Sequence, residues 1–171
     1  VQYMSTTIDD FRNFFTTDSK KESTSLDEIV FSAKTMLEKT FLSQNIKIEI
    51  ENKKLSKLNL PKNELIQVVL NILNNSKDAF LEKNILNPLI KIFFEEKLNH
   101  QKIFIEDNAG GIENNILQKI FNPYFSTKNK KNGSGLGLYI CKNILEKDNL
   151  GEIEVLSKEN GVVFLITINK N

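Results

Sequence analysis

Gly133-Ser134-Gly135-Leu136-Gly137-Leu138 lies between a run rich in lysine and asparagine, Lys128 to Asn132, and an amphipathic stretch, Tyr139 to Lys147. Glycines at alternate positions have no side chains to shield the backbone, so peptide N–H groups can approach an anion closely. A helix beginning directly afterwards would aim its unpaired N–H groups and the positive end of its dipole at that anion. The pattern predicts a phosphate-binding turn that opens into a helix. A flexible hinge ahead of a helix is the simpler alternative, and the other motifs of the chain must decide between the two.

The 171 residues suit one domain with room for a small extra element, and the formal charge of +1 argues against a broad basic surface for nucleic acid. Lysines at 128, 130 and 131 form a local cluster at most. The single cysteine, Cys141, excludes an internal disulfide, and its place on an apolar helix face predicts a small core residue. No apolar run is long enough to span a membrane. The expectation is a cytoplasmic piece, tied to a membrane only through parts outside this sequence. The first residue is Val1 and the start falls inside a helical pattern, so a fragment of a longer protein is expected.

Val1, Met4, Ile8, Phe11 and Phe15 step by three and four residues, a seam for another helix or for the domain's own core. Asp18 to Ser25 is polar and reads as a linker. Ser25-Leu26-Asp27-Glu28 is a capping box, and a core-facing stripe from Ile29 to Phe41 carries a helix to about Ser43. Ile46 to Glu51 alternates as a half-buried strand does, and Leu58-Asn59-Leu60 is expected to pair with it. Pro61 opens a second helix through Ala79. Leu89 to Leu98 and Gln101 to Asp107 read as strands about a turn at Asn99-His100; Glu113 to Ile120 reads as a short helix; and Glu152 to Leu156 with Val162 to Ile168 reads as a hairpin. Helices and strands fall in blocks, which predicts an α+β two-layer sandwich: a mixed or antiparallel sheet covered on one face by helices, preceded by a short N-terminal helix.

Asn71 and Asn75 are four apart on the second helix and share a face, with Asp78 about one turn beyond. An unsatisfied buried amide costs ~1–3 kcal/mol, so such a pair among aliphatics wants partners. Carboxamide oxygens are hard neutral ligands that suit Mg²⁺, although an exposed asparagine patch is equally open from this segment alone. Asp107 ends a strand and precedes Asn108-Ala109-Gly110-Gly111-Ile112, where a carboxylate could accept from an exocyclic amine or merely start a turn. Phe121 to Lys128 packs three aromatics beside Pro123 without periodicity, as a docking loop or anchored lid would.

An asparagine helix, Asp-x-x-x-Gly, an aromatic loop and a glycine run, in that order, resemble the ATP-binding domain of sensor histidine kinases within the wider GHKL, or Bergerat-fold, ATPase superfamily. Glu64 to Phe80 is similar to the N box, Asp107 to Ile112 to the first glycine box, Phe121 to Lys128 to the F box and Gly133 to Leu138 to the second glycine box. The resemblance implies residues 1–22 as the end of the dimerisation and phosphoacceptor hairpin plus linker, and 23–171 as the ATP-binding catalytic domain. It implies ATP and Mg²⁺ as cofactors, Asp107 on the adenine amine, and Asn75 with Asn71 holding the metal. It implies Asn71, Asn75 and Lys128 as the catalytic set. The wider nucleotide-binding set is Asp78, Ala79, Gly111, Ile112, Thr127, Lys128, Gly133, Ser134, Gly135, Leu136, Gly137 and Leu138, with Asp107 and Asn75. Tyr124 and Phe125 would help dock the domain on the hairpin. Implied partners are that hairpin and a response regulator, in a homodimeric parent protein, with no nucleic acid.

Two positions depart from the family pattern: Ala109 stands where a glycine is common, and Val162 follows Gly161 where relatives often carry threonine. Hydrolysing relatives carry a glutamate base one turn before the metal-binding asparagine. Here that position is Asn71, which implies transfer to an imidazole rather than to water. The only histidine, His100, lies in an expected turn, so the acceptor is expected elsewhere. A serine kinase of the anti-sigma type and a nucleotide-sensing module without turnover are the alternatives.

Overall fold

The computed structural model describes residues 20–127 and 134–170. The seam at Val1 to Phe15, Lys128 and Gly133 lie outside the described residues. The chain enters through a strand, β1 (Glu22–Thr24), and turns into helix α1 (Leu26–Ser43) at Ser25. Glu28 closes this turn: its Oε2 accepts from the Ser25 N–H at 3.3 Å and from Thr24 Oγ1 at 3.1 Å. Leu26, Ile29, Val30, Ala33 and Phe41 are buried along the stripe that the spacing predicts.

Strand β2 (Lys47–Ile50) follows, then β3 (Leu58–Leu60) and helix α2 (Lys62–Glu82), with Pro61 at its N-cap. Strands β4 (Leu89–Glu96) and β5 (His100–Asp107) form a hairpin closed by a bond from Lys97 N to His100 O at 2.9 Å. His100 therefore opens a strand rather than sitting in the turn. Helix α3 (Asn114–Leu117) is shorter than expected. Helix α4 (Gly137–Glu146) leads through a 3₁₀ turn to the hairpin of β6 (Gly151–Lys158) and β7 (Gly161–Asn169).

Five strands form one mixed sheet in the order β2-β4-β5-β7-β6; only β2 and β4 run parallel. Its inner face presents Ile90, Ile92, Phe94, Ile103, Ile105, Phe164, Ile166 and Ile168, which pack with the apolar stripes of α1, α2 and α4. On the outer face Phe93 and Phe104, opposite each other in register, stack with ring centroids 4.9 Å apart.

Leu58 to Leu60 does not pair with β2. It joins β1 in a separate two-stranded antiparallel sheet, with Leu60 opposite Glu22. The intervening chain is carried away from β2: Leu55 is buried with its N–H donated to Asp27 Oδ1 at 3.1 Å, and the Ser56 hydroxyl donates to Glu96. The supposed linker thus contributes a strand through residues 22–24.

Glu96 gathers the far end of the sheet. Lys170 Nζ lies 2.7 Å from Oε1, and Gln101 Nε2 donates to the same oxygen at 2.9 Å. The Lys170 ammonium, then the Ser56 hydroxyl and the Gln101 amide, hold the Glu96 carboxyl down to about 2 from its ordinary 4.5. A depressed carboxyl contributes stability that is present above 4.5 and lost as pH falls toward 2. Glu96→Gln should lower the melting temperature by a few degrees at pH 7, about 1 kcal/mol for a partly exposed network. The difference should close by pH 2, which a melting series against pH would check.

Candidate functional site

Helix α2 forms one wall of the site and meets two other segments five residues apart. At Ser76 it meets the end of β5: Ser76 Oγ donates to Asp107 Oδ2 at 2.7 Å in the buried interior. The Ala109 N–H donates to Asp107 Oδ1 at 3.0 Å. Asp107 is 5 % exposed. Burial pushes its carboxyl above the ordinary carboxylate value, opposed by the Ser76 hydroxyl, the Ala109 and Val162 amides and the Lys83 charge. Each carboxylate oxygen has two acceptor sites. The Ser76 hydroxyl on one oxygen and the Ala109 N–H on the other fix the group's orientation, and acceptor capacity is left for an amine entering the site.

The loop after Asp107 is pinned on both sides. Gly110 takes the left-handed turn, with φ +78°, and its N–H donates to Asn160 O at 3.2 Å. Ala109 itself is 1 % exposed and outside the left-handed region, which is why its methyl group is accommodated where the family pattern favours glycine. A side chain at Gly111 would come within 2.5 Å of Lys158 O, and the Ile112 N–H donates to Ser157 Oγ at 2.8 Å. Val162 pairs with Asp107 in register and is buried.

At Asn71, one and a half turns earlier on α2, the helix meets the start of α4. Asn71 Nδ2 donates to Gly137 O at 3.2 Å and approaches Cys141 Sγ at 3.6 Å. Five residues separate Asn71 from Ser76, so the two meeting points lie about 7.5 Å apart along α2. Asn75 sits between them, half-buried. Among the described residues no side chain caps the start of α4, which suits its first-turn N–H groups to an anion. Ser134 Oγ accepts from the Leu136 N–H at 3.3 Å; Leu136 is buried and Leu138 packs on the core. Gly135, with φ +69°, lies so close to the aromatic loop that a side chain there would sit 2.6 Å from the Tyr124 carbonyl carbon. Tyr124 is itself in the left-handed region at φ +62°, a strained conformation for a bulky residue. The aromatic loop and the glycine run thus support each other.

Of the remaining candidates, Asp78 is 3.5 Å from Lys77, Ala79 packs against the core, and Thr127 is exposed. Three participants escape the motif reading: Ser76, Cys141 and Gly161. Ser76 alone left a trace, as a polar residue on the apolar stripe of α2. Ser76→Ala should weaken adenine-nucleotide binding about fivefold to tenfold by freeing one side of Asp107, ~1–1.5 kcal/mol for one hydrogen bond. Calorimetric titration with ADP would check it.

A recess of about 370 Å³ borders this site and reaches Asp107, lined also by Lys91, Glu106, Asn108, Lys158 and Gly161. Lys91 and Glu106 alternate along their strands with inward-facing Ile92 and Ile105, so the recess opens on the outer face of the sheet at the strand end that carries Asp107. No group of three or more His, Cys, Asp or Glu among the described residues could hold a metal ion. A cation here would need oxygens from carboxamides and from its own ligand, and Asn71 and Asn75 fit Mg²⁺ in that respect. Among the described residues no helix is long and apolar enough to cross a membrane.

Residues 61–171 match the family described as histidine kinase-, DNA gyrase B- and HSP90-like ATPase. The chain is 36 % identical over 108 residues to a probable C4-dicarboxylate sensor kinase of Halalkalibacterium halodurans, covering 63 % of this chain and 20 % of that protein. It is 32 % identical over 146 residues to sporulation kinase C of Bacillus subtilis, covering 84 % of this chain and 32 % of that protein. It therefore spans less than a third of either relative. The nucleotide-free catalytic domain of the histidine kinase ThkA superposes with a TM-score of 0.75 at 29 % identity, over 88 % of this chain and 96 % of that one. ThkA in complex with the response regulator TrrA superposes with a TM-score of 0.72 at 28 % identity, over 88 % of this chain and 42 % of that one.

Proposed function

The chain belongs to the family of histidine kinase-, DNA gyrase B- and HSP90-like ATPases, and from that membership we propose that it is the catalytic part of a two-component sensor kinase. It binds ATP and passes the γ-phosphoryl group to a histidine on a phosphoacceptor hairpin outside the described residues, from which a response regulator receives it. The observation that carries this reading is the double engagement of one helix. Ser76 holds Asp107, which suits the adenine amine, and Asn71 holds the start of α4, which suits the phosphates.

In this reading Asp107 accepts from the adenine amine, while Gly111 and Ile112 give their backbone to the flat face of the base. Asn71 and Asn75 would hold Mg²⁺ through their carboxamide oxygens. When bound, the ion neutralises charge on the phosphates. The N–H groups at the start of α4 and the backbone of Ser134 to Leu138 orient the phosphate tail. Asn71 cannot accept a proton near neutral pH, so no residue at that position activates water; an imidazole is a competent nucleophile without a base. Domain limits of 1–22 and 23–171, a contribution from Lys128 and Gly133, and docking through Tyr124 and Phe125 belong to the same proposal.

His100 is an unsuitable acceptor: its Nε2 is shielded from solvent and faces the Glu95 carboxylate, 3.8 Å from Oε1. The chain incubated alone with γ-labelled ATP and Mg²⁺ should take up no label. Mixed with the hairpin of its parent protein it should transfer label to histidine, recognised as acid-labile and base-stable. Acid-stable label on serine, or none, would overturn the reading. Asn75→Asp should change the Mg²⁺ concentration for half-maximal nucleotide binding severalfold, because a charge joins the metal's ligands. A Mg²⁺ titration monitored by a fluorescent ATP analogue would check it.

A further inference from the structure

The carboxamide of Asn71 has two chemically opposite ends, an oxygen that can face a cation and an NH₂ that cannot. Which end turns to the cleft depends on what holds the other. Nδ2 lies 3.2 Å from Gly137 O and 3.6 Å from Cys141 Sγ. Reversed, the amide would set its oxygen against a carbonyl oxygen, acceptor against acceptor. The sulfur can take the N–H because its own proton is directed elsewhere: Cys141 Sγ donates to Val68 O at 3.7 Å, back on the helix that carries Asn71. Cys141 is four residues after Gly137, so the thiol and the Gly137 carbonyl lie one above the other on a single face of α4. The thiol is fully buried.

We propose that Cys141 is a positioning residue that, with the Gly137 carbonyl, holds the Asn71 amide with Oδ1 toward the cleft, and so ties the metal-binding orientation of α2 to the seating of α4. This rests on the reading of Asn71 as a Mg²⁺ ligand. The residue touches neither substrate nor ion. It acts through the amide it orients, and removing it leaves Gly137 O as a restraint among the described residues, so the loss is partial.

Three variants test it. Cys141→Val fills the site without a donor or acceptor, Cys141→Ala removes the sulfur without overpacking, and Cys141→Ser keeps both a donor and an acceptor. Calorimetry with a non-hydrolysable ATP analogue gives the ratio of affinity in Mg²⁺ to affinity in EDTA. Valine and alanine should each lower that ratio about fivefold, the equivalent of ~1 kcal/mol, with EDTA affinity within about twofold of wild type. Serine should keep the wild-type ratio, although a hydroxyl in this apolar site should make it less stable than the valine variant. In amide NMR the Asn71 side-chain resonances should move in the valine and alanine variants and stay in the serine variant. A merely structural cysteine predicts the opposite order, with serine worst by every measure. A wild-type ratio in valine and alanine, or an equal loss in serine, would overturn the inference alone. A wild-type chain that binds no nucleotide, or in which Asn71→Ala leaves the ratio unchanged, overturns the reading beneath it and the inference together.

Discussion

Asp107→Asn should reduce ATP affinity by at least about 100-fold while leaving the melting temperature at pH 7 equal to wild type or higher. The binding loss has two parts. The charge-assisted hydrogen bond to an exocyclic amine goes, worth about 1.5–3 kcal/mol. The carboxamide also has a donor end, so one of its two positions would set NH₂ against NH₂, a further buried donor without a partner costing about 1–3 kcal/mol. The stability part follows from the direction of the pKa shift. Burial raises the Asp107 carboxyl above its ordinary 3.8. A raised acid means that the folded chain holds the proton more tightly than the unfolded one. The ionised group therefore costs the fold its full penalty above the folded pKa, and the penalty disappears as pH drops below 3.8. Asparagine removes that penalty. It can still accept from the Ala109 N–H with its oxygen and donate to Ser76 Oγ with its nitrogen, keeping both contacts that orient residue 107. Calorimetry with ATP and thermal melting from pH 4 to 8 would read both quantities. Near-wild-type affinity would remove Asp107 from the adenine site, and a collapse in melting temperature would make its role structural.

Most of the fold could be read from the chain because its signals are local. Glu28 three residues after Ser25 specified the start of α1, strict alternation marked Ile48 and Ile50, and the β6–β7 hairpin followed from Glu159-Asn160-Gly161. What was missed depends on distant partners. Glu22-Ser23-Thr24 has no apolar alternation, and it is a strand only because Leu58 to Leu60 lies beside it. Leu58 to Leu60 in turn pairs there because Asp27 and Glu96 draw residues 55 and 56 away from β2.

The site divides the same way. The order of four motifs was legible, and it singled out Asp107, Asn71, Gly135 and Gly137 as candidates. It did not single out Ser76, Cys141 and Gly161, because each acts on a residue at least 31 positions away; Ser76 left only the trace of a polar residue on an apolar stripe, and neither of the other two carries a charge or a spacing that announces it. Asn71 illustrates the difference. Its residue type pointed to a metal ligand, whereas the structure also spends its amide nitrogen on the start of α4.

Gly161→Ala should destabilise the domain by about 2–4 kcal/mol and weaken ATP binding with it, the largest stability loss expected of any single methyl group in the site. The reason is distance and not backbone conformation. Gly161 is not among the residues in the left-handed region, so alanine fits its φ. The added carbon, however, would lie 1.8 Å from Asp107 O and 2.9 Å from Asp107 C, far inside van der Waals contact with a backbone that cannot swing aside as a side chain would. Relief requires β7 to move away from the end of β5, where Val162 is paired with Asp107. That movement pulls on the Val162 amide that favours the ionised Asp107, and on the bond from Gly110 N to Asn160 O that holds the neighbouring loop. Stability and nucleotide affinity should therefore fall together. This separates Gly161 from Asp107, where affinity is expected to fall alone. For a domain of this size 2–4 kcal/mol corresponds to roughly 5–15 °C in melting temperature. Thermal melting with and without ATP would decide it. Wild-type stability in Gly161→Ala would mean that the two strand ends are not in contact, and the base-binding end of the site would have to be redrawn.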